Sequence, residues 1–258
     1  MADKPSEKLV WQPSVFGILA TPQAACALVV AWLALALFFR SFPQIDLAVS
    51  RFFFDAEALA QGRIMHISLF PMLASAPLNA FRNVMHYSVA ALAIATLVSI
   101  TIETVIGRSL IDRMVRARTA FLTVYLLSPL LFANGLTKPL FGRPRPRQIA
   151  EFGGDVPFVP AAEISSYCSG NCSFVSGEAA SYAWLFGLLA IVPQGYRLMA
   201  LVPLVLLAGF SMALRVSFGA HFLSDVVLGG FATLVLYSIV AAILEYTRYL
   251  PWIARRLA

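Results

Sequence analysis

Charged side chains are scarce in this sequence. Asp, Glu, Lys and Arg together make up 12% of the chain, against about 25% in a typical soluble protein. Hydrophobic residues make up 60%, which excludes an intrinsically disordered chain, and a soluble globule of this size could not bury so much apolar surface. Lipid is therefore the expected solvent for most of the chain.

The sequence also lacks a basic run with interleaved aromatic residues outside its apolar segments. Its net charge of +6 occurs both in nucleic-acid-binding proteins and in membrane proteins with basic loops. Without such a run, a nucleic acid is not an expected partner. No repeat, low-complexity tract or linker divides the chain, so residues 1–258 are expected to form a single helical membrane domain.

Six apolar windows are long enough to cross a bilayer, which takes about 20 helical residues. They predict an all-α, polytopic bundle of six transmembrane helices. Residues 64–81 are also uncharged, but Pro71, Pro77 and Asn79 favour an interfacial or re-entrant segment. Residues 45–54 are expected to form an amphipathic surface helix or a packed re-entrant piece. The six windows are residues 21–39, 83–102, 119–137, 179–196, 198–214 and 226–244.

The Lys and Arg residues divide almost evenly between the two faces of this topology, ten against nine. Cytoplasmic loops usually carry the excess, and residues 108–118 concentrate four arginines in one short loop. On the opposite face, residues 138–147 and Arg215 form a cluster whose charges have a chemical use. With that cluster discounted, both termini are predicted in the cytoplasm, and the first helix is expected to be retained because no clear cleavage site follows it.

Three polar segments lie at predicted helix ends, where ionisable residues of a membrane protein indicate function. The first carries Lys138, Arg143 and Arg145; lysine gives a point charge, and arginine gives a planar fork that binds two phosphoryl oxygens. The second carries Ser176 and Gly177, whose hydroxyl and free N–H groups at a helix start bind anions. Taken alone, a basic membrane flank and a simple helix cap followed by an acidic residue explain these two segments equally well or better.

The third segment contains Arg215, His221 and Asp225. If a helix begins near Ala220, His221 and Asp225 share a face. Asp225 then accepts a hydrogen bond from one imidazole nitrogen and leaves the other free as a nucleophile or base. A structural His-Asp pair is the commoner explanation of this segment alone. However, the topology brings all three segments to one membrane face, and together they suit phosphoryl transfer.

The three segments resemble, in the same order, the signature motifs of the type 2 phosphatidic acid phosphatase (PAP2) superfamily. The motifs are Lys, six residues and Arg-Pro; Pro-Ser-Gly-His; and Arg, five residues, His, three residues and Asp. The resemblance implies a helical membrane fold with its site at the outer surface and with no metal or other cofactor. It implies that His221 is the nucleophile, that a phosphohistidine forms and that Asp225 orients His221. It also implies a set of phosphate-binding residues: Lys138, Arg145, Ser176, Gly177 and Arg215.

Two positions depart from the family pattern. Val175 replaces the proline of the second motif, and Glu178 replaces its histidine, the group expected to protonate the leaving oxygen. The run from Cys168 to Glu178 resembles the branch that contains lipid A 4'-phosphatases, in which a carboxylate also occupies this position. An unperturbed glutamate is mostly ionised at neutral pH, so the protonation state of Glu178 is left open at this point.

The resemblance implies a phosphoric monoester hydrolase that acts on a phosphorylated membrane lipid. Lipid A with its 4'-phosphate is the favoured substrate, and the periplasmic face of the bacterial inner membrane is the expected location. One alternative is a polyprenyl diphosphate phosphatase or phosphotransferase. The other is an inactive phospholipid-binding or transport protein, which Glu178 favours and the intact Arg215, His221 and Asp225 set opposes.

Two cysteines lie four residues apart in a loop predicted outside the membrane. Cys168 and Cys172 are expected to form a disulfide that stiffens the loop beside Ser176, with free thiols as the alternative. A zinc site is not expected, because no other Cys or His lies close in the sequence. His86, at the edge of the second predicted helix, is expected to be a packed or interfacial histidine.

Overall fold

The structure, a computed structural model, describes residues 17–63, 65, 69–108 and 112–248. Within those ranges the named elements are helices, without a strand. Five helical stretches are long and apolar enough to cross a membrane, and the prediction of an all-α membrane bundle is confirmed. These stretches are Pro22–Ser41, Ala76–Val105, Arg113–Gln148, Gln194–Ser217 and Leu223–Thr247.

The helices are numbered in chain order. α1 is the first spanning helix, the short helices α2 and α3 follow it, and α4 to α8 complete the bundle. Lys4, Lys8, Arg255 and Arg256, which contributed to the predicted orientation, lie outside the described residues. The bounds are α1 Pro22–Ser41, α2 Gln44–Phe52, α3 Ala56–Ala60, α4 Ala76–Val105, α5 Arg113–Tyr125, α6 Gly177–Trp184, α7 Arg197–Ser217 and α8 Leu223–Arg248.

α5 continues beyond Tyr125 as a π-helical stretch, Leu126–Thr137, and a last turn, Lys138–Phe141. Pro129 lies inside the wide turns, where its missing N–H and its ring prevent regular α-helical bonding. Gly142 ends the helix in the left-handed conformation, with φ of 52°. A Cβ atom at Gly142 would collide with the Ser165 carbonyl oxygen, so this position requires glycine for its space as well as for its backbone conformation.

The predicted window of residues 179–196 is not one continuous α-helix. α6 ends at Trp184, and the chain continues as the 3-10 helix Leu185–Ala190. The Tyr237 hydroxyl donates a 2.7 Å hydrogen bond to the Trp184 carbonyl, and the Tyr237 ring packs directly on Gly187. This contact from α8 lies at the end of α6. Hydropathy therefore located the segment but not the break in its helix.

α4 begins at Ala76, seven residues before the predicted start at residue 83. Pro77 fits the first turn because a helix leaves the first N–H groups without intrahelical partners. The window of residues 64–81 therefore divides: its end belongs to α4, and Leu69 and Phe70 are buried against Phe152. Residues 64 and 66–68 of this window lie outside the described residues.

α8 is the central helix of the bundle. In its most apolar window 61% of the residues are buried, against 17–33% in the other four spanning stretches. It packs against α1, α5 and α6, and an apolar core that includes Phe121 stacked on Trp184 at 3.9 Å holds α5 and α6 together. This packing fixes the ends of α5 to α8, which carry the polar segments.

Candidate active site

A polar cavity of about 500 Å³ lies where these helix ends converge. Six of the eight residues predicted to bind phosphate or act in catalysis line it, whereas Ser176 and Asp225 lie behind its wall. The structure therefore brings the three polar segments together at one site. The six lining residues are Lys138, Arg145, Gly177, Glu178, Arg215 and His221.

His221 lies in the short connection between α7 and α8, with 2% of its surface exposed. Its Nδ1 is 2.9 Å from the backbone carbonyl oxygen of Ser173. Because a carbonyl oxygen only accepts hydrogen bonds, Nδ1 carries the proton and Nε2 holds a free lone pair. The unprotonated Nε2 is the atom that a histidine nucleophile requires.

Asp225 does not take the position beside the imidazole that the sequence spacing suggests. Its Oδ2 is 3.9 Å from Nδ1 of His221, which is beyond hydrogen-bond distance. Asp225 instead accepts bonds from the Ser173 hydroxyl at 2.5 Å and from the Phe222 N–H at 2.9 Å. The Ser173 carbonyl is thus the hydrogen-bond partner of His221 Nδ1, and Asp225 is linked to the same residue through the Ser173 hydroxyl.

Arg143 lies behind the cavity and is fully buried. Its Nη1 donates to Asp225 Oδ1 at 2.6 Å, and its Nη2 donates to Asp46 Oδ2 at 2.8 Å. The guanidinium also lies over the Phe222 ring, 4.3 Å from its centroid. Sequence analysis placed Arg143 in the first polar segment but not among the phosphate-binding residues, and it gave Asp46 on α2 no role.

Glu178 is surrounded by positive charge. Arg82 of α4 donates to it through Nε at 3.0 Å and also through Nη2, and Arg215 Nε lies 3.4 Å from Oε2. The Tyr182 hydroxyl donates to the same oxygen at 3.1 Å. These contacts favour the ionised carboxylate. Arg82 directly precedes the predicted window of residues 83–102, sequence analysis gave it no role, and this pairing was missed.

Lys138 and Arg145, the other two basic residues that line the cavity, both donate hydrogen bonds to one residue of the loop between α5 and α6. Lys138 Nζ donates to Asn171 Oδ1 at 2.7 Å, and Arg145 donates to the Asn171 carbonyl at 2.9 and 3.1 Å. A disulfide joins Cys168 and Cys172, with their Cα atoms 5.7 Å apart. The closed loop thus fixes Asn171, which the sequence did not single out.

Ser176 caps α6. Its Oγ accepts from the Ala179 N–H at 3.3 Å, and the residue is fully buried. Gly177 does face the cavity, and a side chain there would collide with the Asn134 amide. The anion nest thus consists of the backbone of Gly177 and the N-terminus of α6, while the Ser176 hydroxyl is engaged by the helix.

Comparison with known proteins gives three curated relatives, each named lipid A 4'-phosphatase. The protein of Rhizobium leguminosarum is 39% identical over 222 residues, which cover 83% of this chain and 93% of that protein. The protein of Rhizobium etli is 37% identical over 220 residues, with 83% and 84% covered. The protein of Francisella tularensis subsp. novicida is 36% identical over 156 residues, with 57% and 70% covered. No solved structure gives a significant match.

The family comparison covers most of the cavity lining, and Arg82 and His86 precede the matched range. The PAP2 superfamily model matches residues 117–249, a range that contains all three polar segments and the helices that carry them. With the motifs in order, their residues gathered around one cavity and relatives of this identity, the chain belongs to the PAP2 superfamily.

Proposed function

We propose that this protein is a membrane lipid phosphatase that hydrolyses the 4'-phosphate of lipid A and that residues 1–258 act as one catalytic domain. The observation that carries the proposal is the geometry of His221. This residue lines the same cavity as Lys138, Arg145 and Arg215, and its bond to the Ser173 carbonyl leaves Nε2 unprotonated. The names of the three relatives support lipid A as the substrate.

In the first step, Nε2 of His221 attacks phosphorus and forms a P–N bond. The P–O ester bond breaks, and its electron pair goes to the leaving oxygen. Nδ1 keeps its proton because the Ser173 carbonyl holds it, and the Asp225 carboxylate 3.9 Å away stabilises the positive ring. Arg215 and Lys138 neutralise the charge on the phosphoryl oxygens.

Glu178 handles protons in both steps. A phosphate monoester has a second pKa near 6, so part of the substrate binds as a monoanion, and Glu178 takes that proton and passes it to the leaving oxygen. In the second step, Glu178 accepts a proton from the attacking water. The water oxygen bonds to phosphorus, the P–N bond breaks, and its electron pair returns to Nε2. The resting carboxylate is ionised, so it can act directly as the base of the second step, whereas it acts as an acid in the first step only after it has taken the substrate proton. The proton taken from water leaves with the phosphate product, which restores the ionised carboxylate.

Glu178→Gln is expected to lower kcat by about 10²–10⁴-fold, the usual contribution of a general acid or base, while KM stays close to the wild-type value. Phosphate release by purified protein measures both constants. Glu163→Gln is the matched control, because Glu163 lies on the surface and its ion pair among the described residues is with Arg40 at 3.5 Å. Full turnover in the Glu178 variant would remove this residue from the mechanism.

The protonation state of His221 gives a second test. Burial lowers the pKa of His221 to about 4, so the neutral, nucleophilic ring persists well below the ordinary histidine pKa. We expect diethyl pyrocarbonate, which reacts with neutral imidazole, to inactivate the protein at nearly the same rate at pH 7 and pH 5.5. A histidine of ordinary pKa would react about eightfold more slowly at the lower pH. A His86→Asn background restricts the reaction in the cavity to His221.

We also propose that the protein lies in the bacterial inner membrane, with both termini cytoplasmic and the cavity facing the periplasm. The disulfide between Cys168 and Cys172 lies on the cavity face, and disulfides persist in the oxidising periplasm. Arg108 follows the end of α4, and Arg113 begins α5. Both arginines lie at the ends of these helices that are farther from the cavity, as expected for a cytoplasmic loop.

The proposal is tested by expressing the chain in a bacterium whose lipid A carries both phosphates. Mass spectrometry is expected to show loss of one phosphate, from the 4'-position, with the wild-type chain and no loss with His221→Ala. Unchanged lipid A at equal expression would overturn the proposal. Phosphate release from undecaprenyl diphosphate but not from lipid A would instead support a diphosphatase.

A further inference from the structure

The cavity extends beyond the catalytic residues toward the membrane interior. α4 and α6 run inward from the catalytic face, and α5 runs toward it. His86 lies one turn past Arg82 on α4, Ser181 lies about one turn past Glu178 on α6, and Asn134 lies one turn before Lys138. One turn is about 5.4 Å. These three residues and Tyr125, still deeper on α5, all line the cavity and are named the polar layer here.

Part of the hydrogen-bonding capacity of the polar layer is unused within the described residues. Among the described residues, no side-chain hydrogen bond engages His86 or Tyr125. Asn134 donates to the Pro129 carbonyl at 2.6 Å, but its Oδ1 is free within the same ranges. Ser181 donates to the Gly177 carbonyl at 2.9 Å and keeps its acceptor capacity. The layer therefore offers donors and acceptors to a ligand.

The polar layer is built into the catalytic site. The Asn134 amide packs so closely on Gly177 that a Cβ at Gly177 would approach Nδ2 to 2.8 Å. Asn134 also lies in the π-helical stretch of α5, and such irregular turns often occur at functional sites. A group hydrogen-bonded to Asn134 thus lies next to a phosphate bound at the Gly177 backbone.

The depth of the layer indicates the chemistry of its ligand. Polar side chains at membrane depth are costly when only lipid surrounds them, and they commonly mark substrate sites. An isoprenoid or acyl chain next to the phosphate offers these side chains no hydrogen bonds, whereas a sugar ring with hydroxyl and amide groups offers several. Leu130 and Pro129 line the same cavity and provide apolar surface for a chain attached to the ring.

We infer that the polar layer of His86, Tyr125, Asn134 and Ser181 binds the sugar ring that carries the scissile phosphate. The inference rests on the proposed function and adds a basis for its selectivity. A site built to hydrogen-bond a substrate rejects an analogue that lacks the polar groups much more strongly than an apolar site does. Phosphorylated acylated amino sugars are therefore the preferred substrate class, ahead of polyprenyl and diacylglycerol phosphates.

The test compares two phosphate monoesters, lipid A and phosphatidic acid, in the same mixed micelles. Asn134→Leu and Ser181→Ala remove polar atoms from the layer. Each is expected to lower the ratio of kcat/KM for lipid A to kcat/KM for phosphatidic acid by about tenfold or more, in line with the loss of a substrate hydrogen bond. Ser181→Ala removes a single oxygen atom, so the test does not depend on the folding of Asn134→Leu.

Ser88→Ala is the matched control, because Ser88 is exposed on α4 and does not line the cavity. Its ratio is expected to equal that of the wild-type chain. An unchanged ratio in both layer variants would overturn the inference while the proposed function stands. Wild-type protein that hydrolyses phosphatidic acid but not lipid A would overturn the proposed function, and the inference with it.

Discussion

His221→Ala is expected to lower phosphate release by about 10⁴-fold or more, because the variant loses the nucleophile around which the site is arranged. The Ser173 carbonyl fixes the proton of His221 on Nδ1, and Lys138, Arg145 and Arg215 line the same cavity. Without the imidazole these cations still bind phosphate. The expected result is therefore a loss of kcat with little change in substrate affinity.

Trapping of the phosphoenzyme identifies the nucleophile directly. Wild-type protein treated with a radioactive nitrophenyl phosphate and quenched in alkali is expected to carry label on His221, and His221→Ala is expected to carry none. Glu178→Gln is the comparison: a nitrophenolate leaves without a proton, so the first step proceeds and the label accumulates because water is not activated. Label in His221→Ala would show that another residue is the nucleophile.

The proposed phosphate-binding and nucleophilic residues that line the cavity were predictable from the sequence, because each belongs to a short motif. Lys138, Arg145, Arg215 and His221 all line the cavity. Five of the six predicted spans correspond to spanning stretches of the structure. They were predictable because the length and hydropathy of a segment depend on its own residues and require no knowledge of its neighbours.

The supporting contacts were not predictable, because each joins residues far apart in the sequence. Arg82 and Glu178 are 96 positions apart, and Asp46 and Arg143 are 97 positions apart. A single Asp or Arg at the edge of an apolar segment has the same local pattern whether it faces water or a distant partner. The end of α6 at Trp184 likewise coincides with a contact between distant residues, the hydrogen bond from the Tyr237 hydroxyl of α8.

The position of Asp225 shows the same limit within a motif. Spacing correctly placed His221 and Asp225 near each other, but the acceptor of the Nδ1 proton is a backbone carbonyl 48 positions away. Backbone atoms carry no sequence signal, so the identity of the orienting group required the fold.

Asp46 is the buried residue whose replacement is expected to have the largest effect on stability. It accepts bonds from Arg143 Nη2 at 2.8 Å, from the Ser224 N–H at 2.8 Å and from the Ser224 hydroxyl at 2.5 Å. The Asp46, Arg143 and Asp225 side chains are all fully buried. Arg143 thus joins α2 to the start of α8, beside His221.

Asp46→Asn is expected to destabilise the protein by about 3 kcal/mol or more, the usual cost of breaking a buried ion pair. The amide offers one acceptor oxygen where the carboxylate offers two, and its NH₂ group faces groups that are themselves donors. Thermal unfolding in detergent measures the loss. Asp55→Asn is the matched control: Asp55 caps α3 through a 2.8 Å bond from the Ala58 N–H, and asparagine caps a helix about as well as aspartate, so little change in stability is expected.

Activity separates a positioning role of Asp46 from a purely structural one. With Arg143 released from Asp46, Asp225 and the Ser173 hydroxyl bonded to it are less firmly held. At a temperature where Asp46→Asn is still folded, kcat is therefore expected to fall while KM stays near the wild-type value. Wild-type kcat in folded Asp46→Asn would contradict the positioning role. Because Asp46 precedes residues 117–249, a fall in kcat would make the N-terminal segment part of the catalytic unit.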